Sequence, residues 1–217
     1  MTIISTVYVP DGIAMSADSR LTRTMNLEDG TKELFTLSDS AQKIVLLRNE
    51  TIGVSACGDA IIDGKTVSDL LRIFDINEVK ADDTVEQVSI NLKKYMEEKY
   101  HMYNIFFHVS GFDNDEAFVY DVSKNNVSRR NYDNDEKGII YGAVWRGESE
   151  PTSKLLKDTP LNFDIMPLKD AIDFSEFIVD LTINYCRFQS GLSTCGGPID
   201  ILVITKDYTK FLKHKIL

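Results

Sequence analysis

TIISTVYVPDGIAMSADSR, residues 2–20, is the stretch that decides the fold of this chain. Its first half alternates loosely between apolar and small polar residues and is rich in Ile, Val, Thr and Tyr, which predicts a strand over residues 2–9. Pro10-Asp11-Gly12 is a strong turn signal, and residues 13–19 predict a second strand. Two antiparallel strands joined by a tight turn bring their far ends together, so this hairpin returns Asp18 to Thr2.

Thr2 and three charged residues form a candidate catalytic group. A Thr that follows the initiator Met becomes the first residue once Met1 is removed, and its free α-amine can then act as a base for its own hydroxyl. Asp18 and Arg20 lie two residues apart at the end of the hairpin, and Lys43 comes directly before an apolar run. A second interpretation of the same residues is an ordinary N-terminus with some surface charges.

Size and composition indicate a globular chain that forms one domain, residues 1–217. No run of about 18 apolar residues occurs, so no membrane span is expected. The N-terminus lacks a basic region followed by an apolar one, and we therefore expect a soluble, cytoplasmic protein. The formal net charge of −10 disfavours nucleic acid and anionic membranes as partners.

The cysteines and histidines of the sequence predict no metal site, no disulfide framework and no cofactor. The three cysteines lack CxxC spacing, and the three histidines lack the spacing of metal ligands. This usage of cysteine suits a reducing compartment.

Strand and helix patterns continue along the rest of the chain. Residues 21–40 are polar and rich in turn signals, which predicts a loop or a short ribbon. Further strands are expected at 43–48, 51–56, 104–111, 117–121, 126–131, 138–142, 199–205 and 209–214. Helices are expected around 67–74, at 83–99 and at 168–189, with Phe174, Phe177 and Tyr185 of the last one in the core. Residues 145–167 remain ambiguous.

The order of these elements indicates the fold class. The strands come in runs that connect as hairpins, and not as alternating strand–helix–strand units. We therefore expect an α+β fold of two mainly antiparallel sheets, with helices covering the outer faces of both.

These motifs resemble those of a known family: the β-type proteasome subunits and the bacterial proteasome-like peptidases, which belong to the N-terminal-nucleophile hydrolases. The family pattern is an N-terminal Thr, an acid and an Arg two residues apart after the first hairpin, a later Lys, and a Gly-Asp-Ala-like element before the first helix. This chain has Thr2, Asp18-Ser19-Arg20, Lys43 and Gly58-Asp59-Ala60. Residues 196–206, GGPIDILVITK, resemble the late Gly-Gly strand of the family, so the resemblance spans nearly the whole chain.

The resemblance implies a four-layer αββα sandwich and hydrolysis of amide bonds by Thr2. The Oγ of Thr2 would attack the carbonyl carbon, and its own α-amine would carry the proton, directly or through a water. Lys43 would lower the pKa values of the hydroxyl and the amine, since a nearby cation favours the less positive forms. Asp18 would hold Lys43 by an ion pair, and Arg20 would fix the surrounding backbone.

Further positions follow from the same resemblance. It implies that a backbone N–H near Ser55 holds the oxyanion, where active relatives usually have Gly. It also implies that Leu21, Gly53 and Cys57 line the pocket for the side chain that precedes the cut bond.

The chain departs from the family pattern where that pattern supports the amine. Fully active relatives usually carry a Ser in a Gly-Ser-Gly-like turn at the start of the third helix, and the matching segment here is taken as Tyr141-Gly142-Ala143. They also carry an Asp and a Ser before the Gly-Gly strand, where this chain has Leu192 and Cys195, with Ser193 or Thr194 as substitutes. These departures indicate altered support of the amine.

Three functions remain open on the sequence alone. The first is a threonine-type peptidase or amidase, acting on a peptide or a small amide. The second is a non-catalytic, proteasome-like subunit that keeps the fold for assembly. The third is an N-terminal-nucleophile enzyme that acts on small amides or by transpeptidation. The resemblance further implies a homo-oligomer, with a ring as one such assembly.

Overall fold

The computed structural model describes residues 2–26 and 30–215, and within them the chain has a mixed fold of four α-helices and several antiparallel sheets. In chain order the elements are β1 (Ile3–Val9), β2 (Gly12–Ala17), β3 (Leu21–Asn26), β4 (Lys32–Ser38), β5 (Ile44–Leu47), β6 (Ile52–Gly58), β7 (Ile61–Ile62), β8 (Lys65–Thr66), α1 (Val67–Glu78), α2 (Val85–Lys99), β9 (Ile105–Asp113), β10 (Glu116–Ser123), β11 (Val127–Arg129), β12 (Tyr132–Asp133), β13 (Gly138–Ile139), β14 (Gly142–Gly147), α3 (Glu150–Leu156), α4 (Leu168–Phe188), β15 (Asp200–Ile204) and β16 (Thr209–Lys213).

Two five-stranded sheets contain most of the strands. The first has the order β14-β1-β2-β15-β16 and the second the order β11-β10-β9-β6-β5, and neighbouring strands in both are antiparallel. Three two-stranded ribbons are separate from them: β3-β4, β7-β8 and β12-β13. The first ribbon lies in the polar stretch 21–40, for which a loop or ribbon is expected.

The opening hairpin β1–β2 forms as predicted, with Ile4 opposite Ala17. The strand β2 ends at Ala17, two residues earlier than the sequence pattern indicates. This early end leaves Asp18 just beyond the ladder, where its side chain can turn towards the start of β1.

Side-chain alternation sends the two faces of β1 into different parts of the core. Ile4 and Tyr8 belong to a cluster that contains residues of both sheets, including Val119 and Leu202. Val7 belongs to a cluster with residues of α4 on the opposite face of the first sheet. Both faces of this strand therefore pack in the core, and every one of its residues is buried.

Helices pack against each of the two five-stranded sheets. α1 and α2 contact β5, β9 and β10 of the second sheet, and α4 contacts β1, β2 and β15 of the first. Thr66 caps the N-terminus of α1 with its hydroxyl, and Thr84 and Gln87 form a capping box on α2. None of the described helices is long and apolar enough to cross a membrane.

The structure corrects two expectations for the second half of the chain. The strand expected at 138–142 divides into β13 and β14, and the ambiguous stretch 145–167 contains the end of β14 and the short helix α3. In α4 the aromatic side chains of Phe177 and Tyr185 are exposed rather than buried. The face of α4 that packs on the sheet includes the small Ser175, whose Oγ lies 2.6 Å from Ser16 Oγ, so the buried stripe is rotated away from these rings.

Candidate active site

Asp18 is the centre around which the start of the chain is arranged. It is wholly buried, and its carboxylate accepts three backbone N–H groups, from Ile3 to Oδ1 at 3.0 Å, from Arg20 to Oδ2 at 3.2 Å and from Gly196 to Oδ2 at 3.0 Å. Since Ile3 directly follows Thr2, Asp18 holds the backbone next to the proposed nucleophile. The sequence prediction that the hairpin returns Asp18 to Thr2 is confirmed in this respect.

Lys43 completes the coordination of that carboxylate. Its Nζ lies 2.7 Å from Asp18 Oδ1, and only 7% of its side chain is exposed. The backbone of Lys43 is also tied to the second sheet, because its carbonyl oxygen accepts the N–H of Ala56 at 3.0 Å. A lysine at the edge of the second sheet thus reaches across to the end of the first hairpin, and the ion pair connects the two sheets at the site.

The backbone N–H of Arg20 binds Asp18, whereas its guanidinium binds Asp39. Nε and Nη2 of Arg20 donate to the two Oδ atoms of Asp39 at 2.6 and 2.9 Å, and Nη1 donates to the carbonyl oxygen of Ser193 at 3.2 Å. This fork raises the pKa of the guanidinium and lowers the pKa of the Asp39 carboxyl, chiefly through the hydrogen bond between the two side chains. Arg20 therefore clamps two loops behind the site, which agrees with a backbone-fixing role.

Gly196 and Gly197 allow this clamp to close. A Cβ on Gly196 would lie 2.7 Å from Arg20 Cζ, so the guanidinium occupies the place of a side chain. Gly197 has φ of +76°, and a Cβ there would lie 2.4 Å from the carbonyl oxygen of Asp39. The Gly-Gly pair is needed for close approach as well as for turning the chain.

Thr2 is 5% exposed and is held by the segment that follows β14. Its carbonyl oxygen accepts the N–H of Glu148 at 2.8 Å, which continues the β1–β14 ladder beyond the pair Ile3 and Gly147. Gly147 has φ of +103°, and a Cβ there would lie 1.8 Å from the Thr2 oxygen. Only a glycine permits this contact, so Gly147 sets the distance between Thr2 and Glu148.

Two clefts meet at Thr2. A narrow, mostly apolar pocket contains Thr2 and Lys43 together with Leu21, Cys57 and Val67. A wide, open cleft of about 1050 Å³ contains Thr2 on its other side, with Trp145 among its walls. Thr2 therefore lies between a small apolar pocket and a cleft large enough for an extended chain.

The remaining residues expected in the site are divided between the clefts and the interior. Leu21 and Cys57 line the pocket at Thr2. Gly53 faces the first sheet instead, since a Cβ on it would lie 2.6 Å from Leu202 Cδ2. Ser55 is wholly buried in the middle of β6, and its Oγ has no hydrogen-bond partner within the described residues. Neither Gly53 nor Ser55 is among the described residues that line the two clefts, whereas Cys57 and Gly58 line both.

Tyr141-Gly142-Ala143, taken from the sequence as the turn at the start of the third helix, does not lie there. Ala143 lies within β14, opposite Val7 in the middle of β1, and the third helix begins only at Glu150. The turn that precedes the helix is Gly147-Glu148-Ser149, and this turn contacts Thr2. β14 ends at Gly147, five residues beyond the end of the strand expected at 138–142. The start of the third helix therefore lies later in the chain than the resemblance implies.

Of the other two altered positions, Leu192 is exposed and Cys195 is wholly buried. The neighbouring Thr194 donates its hydroxyl to Glu148 Oε2 at 3.3 Å, and Ser193 donates to the carbonyl oxygen of Cys195 at 2.7 Å. Thr194, which the sequence offers as a substitute, is therefore the hydroxyl that points towards the turn beside Thr2.

The thiols near the site are poor nucleophiles at neutral pH. Burial raises the pKa of Cys57 to about 12. Burial also raises the pKa of Cys195, and the negative charge of Asp18 adds to that rise. Because a thiol attacks as the thiolate, the hydroxyl of Thr2 remains the better candidate in this site.

Sequence reasoning missed Asp39, Gly147 and Glu148. Asp39 lies in a polar stretch with several other acids and gives no local signal, since its role depends on Arg20. Gly147 and Glu148 fall in the stretch without periodicity. No group of three or more His, Cys, Asp or Glu side chains in residues 2–26 and 30–215 is placed to hold a metal ion.

Comparison with known proteins adds nothing to this geometry, because the sequence matches no protein-family model and no curated protein matches it.

Proposed function

We propose that the protein is a threonine-type peptidase or amidase in which Thr2, freed by removal of Met1, is the nucleophile. The observation that carries this proposal is the buried ion pair of Lys43 and Asp18 beside Thr2, with Lys43 and Thr2 in one pocket. A buried ion pair is costly to keep, and pairs of this kind are common where a charge has a chemical task.

The reaction begins with attack of the Thr2 Oγ on the carbonyl carbon of an amide. The α-amine of Thr2 takes the hydroxyl proton, and the carbonyl oxygen becomes an oxyanion. The resulting ammonium then gives the proton to the leaving nitrogen, the C–N bond breaks, and an ester of Thr2 remains. Water then attacks the carbonyl carbon of this ester, and the same amine takes the proton of the water. The bond between the acyl carbon and Thr2 Oγ breaks, the carboxylic acid leaves, and the amine returns the proton to Oγ. Lys43 favours the neutral amine and the developing alkoxide by its charge.

We assign the oxyanion donor to the N–H of Gly58 in place of Ser55. Alternate N–H groups of a strand point to the same edge, and the N–H of Ala56 already donates to Lys43 O at that edge. Gly58 is two residues further along β6, lines both clefts, and reaches past the end of β5 towards Thr2. A backbone donor at this place would stabilise the charge that develops in the transition state.

The packing supports a four-layer αββα arrangement, which we include in the proposal. α4 contacts the first sheet, and α1 and α2 contact the second. Inner-face residues of the two sheets form a shared apolar cluster. Thr2 and Lys43 then come from different sheets and meet at one end of the sandwich.

The pocket indicates the substrate. Leu21, Ala60 and Val67 form apolar walls beside Thr2, and Cys57 contributes an uncharged thiol. A side chain of apolar character next to the cut bond fits there, and the wide cleft accommodates the rest of a peptide. We also propose a homo-oligomer, for which native mass measurement gives the test: a single species at the chain mass would contradict it.

The experiment combines intact-mass analysis with a panel of fluorogenic peptide amides that differ in the residue before the cut bond. We expect loss of Met1, turnover of substrates with apolar residues at that position, and no turnover in Thr2→Ala. Cys57→Ala serves as a control for the neighbouring thiol and should retain activity. Full activity in Thr2→Ala, or quantitative retention of Met1 in an active preparation, rejects the mechanism.

Two results would select the other functions. A folded, oligomeric protein without turnover of any amide in the panel indicates the non-catalytic subunit. Turnover confined to small amides, or transfer of the acyl group to an added amine in place of water, indicates the amidase or transpeptidase.

A further inference from the structure

Glu148 is the acidic residue whose backbone is bonded to Thr2. Its N–H donates to the Thr2 carbonyl oxygen at 2.8 Å, and the turn at Gly147 brings the two residues together. The carbonyl oxygen of Thr2 belongs to the same residue as the α-amine that the proposed mechanism uses. Glu148 is therefore the acid whose backbone is bonded to the residue that becomes the new N-terminus.

The carboxylate of Glu148 has a hydroxyl partner and is half-buried. Thr194 donates to Oε2 at 3.3 Å, which ties the turn to the loop that also binds Asp18 through Gly196. Asp18 is already paired with Lys43, and Asp39 with Arg20. No ion pair joins Glu148 to a cation within the described residues, so its negative charge is available.

Removal of Met1 creates a positive charge at the same place. An α-ammonium on Thr2 would be next to Lys43, whose like charge is repulsive, and Asp18 is occupied by that lysine. A second carboxylate can hold the ammonium in a fixed orientation. Asp59 lines both clefts with Thr2, but its Oδ2 already accepts the N–H of Asn104 at 2.7 Å. Glu148 is the acid that the Gly147 turn provides.

We propose, on the basis of the function proposed above, that Glu148 binds the α-ammonium of mature Thr2 as a positioning residue, with Thr194 orienting its carboxylate. An opposite charge raises the pKa of an amine. Glu148 raises the pKa of the α-amine and Lys43 lowers it. Together they set the pH at which the amine becomes neutral and can accept the proton of the Thr2 hydroxyl.

Other titratable groups face the same place. They line the clefts with Thr2 or lie close to Glu148 or Asp18: Asp18, Arg20, Arg23, Lys43, Cys57, Asp59, Arg146, Cys186 and Cys195. Glu148→Gln leaves all of them in place, so a change in the pH profile reports on the exchanged carboxylate.

The test compares the pH dependence of kcat/KM in wild type, Glu148→Gln and Glu150→Gln, each prepared with Thr2 as the first residue. Glu150 is an exposed acid on α3, paired with Lys154, and serves as the matched control. We expect the acidic limb of the kcat/KM profile of Glu148→Gln to move to lower pH by about one unit, because the amine loses a neighbouring opposite charge. The profile of the control should coincide with that of wild type. Coincident limbs for all three proteins overturn the proposal.

A second measurement is independent of turnover. NMR titration of protein labelled at Thr2 follows the α-amine directly, and its pKa should fall in Glu148→Gln. If no substrate is turned over but this pKa falls, the assignment of Glu148 stands and the hydrolase function fails. If substrates are hydrolysed while the pKa of the amine is unchanged, the hydrolase stands and the assignment of Glu148 fails.

Thr194→Val covers the case in which Glu148→Gln does not fold. This variant keeps the carboxylate and removes the hydroxyl that orients it, so the acidic limb should shift in the same direction by a smaller amount. An unshifted limb and an unshifted amine pKa in Thr194→Val would contradict the role of Thr194 and leave Glu148 without its orienting partner, which overturns the proposal as stated.

Discussion

Asp18 shows how much a single residue of this site depends on its surroundings. A buried carboxylate is tolerated only when it is well hydrogen-bonded and paired, and three N–H donors and Lys43 supply both conditions. The position of Asp18 next to the start of β1 can be predicted from the hairpin. The donor from Gly196 cannot, since that residue is 178 positions away in the chain.

The first prediction concerns Lys43→Ala. The substitution leaves the Asp18 carboxylate buried without its cation, so hydrolysis should be lost and the free energy of unfolding should fall by about 3–5 kcal/mol. Turnover assays and urea denaturation measure the two effects. The double variant Asp18→Asn, Lys43→Met removes both charges and should regain most of the stability while remaining inactive. Normal turnover in Lys43→Ala would reject the catalytic role.

The second prediction concerns His108, which lies wholly buried between the sheets with Nδ1 2.9 Å from Thr6 Oγ1. Burial lowers its pKa from 6.5 to about 4. In this interval the unfolded chain binds a proton that the folded chain does not, so stability is lost as the pH falls from 6.5 towards 4. The loss attributable to His108 is about 3 kcal/mol, since one pKa unit corresponds to about 1.4 kcal/mol.

Chemical denaturation at a series of pH values checks this expectation, with His108→Asn as the comparison. The variant should show a flatter dependence between pH 6.5 and 4 than wild type. Parallel curves for the two proteins would mean that His108 is not the group responsible.

At the scale of the elements, the ladder between β1 and β14 decides where the catalytic end of β1 lies. The register Ile3 opposite Gly147 places the turn of the third helix at Thr2. The sequence does not indicate where β14 ends, because α3 has only seven residues and begins with Glu150-Pro151, which gives little helical periodicity. Short elements of this kind are positioned by their partners more than by their own sequence.

The third prediction is therefore made for Gly147→Ala. The added Cβ would meet the Thr2 oxygen at 1.8 Å and would require φ of +103°, so we expect a loss of about 1–3 kcal/mol in stability and a larger loss of activity. Gly138→Ala is the control, because a Cβ there meets nothing within 4 Å. Thermal melting and turnover distinguish the two variants. Equal behaviour of both would show that the turn at Gly147 tolerates a side chain.

At the scale of the whole molecule, the site depends on how closely the two sheets pack. Lys43 belongs to the edge of one sheet and Asp18 to the other, so the distance between sheets sets the ion pair. Gly53 in β6 permits this distance, because a Cβ would lie 2.6 Å from Leu202 Cδ2 and 2.8 Å from Met15 Sδ. The family resemblance implied a substrate-pocket role for Gly53, whereas in the structure it is a packing residue.

The fourth prediction follows from that packing. Gly53→Val should separate the sheets locally and cost about 1–3 kcal/mol, which is the usual range for overfilling a close-packed core. Activity should fall with it, since the Lys43–Asp18 contact spans the same interface. Denaturation and turnover of the variant provide the check. A fully stable and active Gly53→Val would contradict the assigned role.

The family resemblance added Lys43 to the candidate group. The sequence by itself determined the opening hairpin, which returns Asp18 towards Thr2, and the long helices. These depend on local periodicity, turn residues and short spacing, which are properties of contiguous chain. Only the tertiary structure decided that Asp39 pairs with Arg20, that Glu148 bonds Thr2 and Thr194 bonds Glu148, and that Ser55 and Gly53 are interior. The reason is that such contacts join residues far apart in sequence, and the packing of two sheets, which no local pattern contains, selects which of them meet.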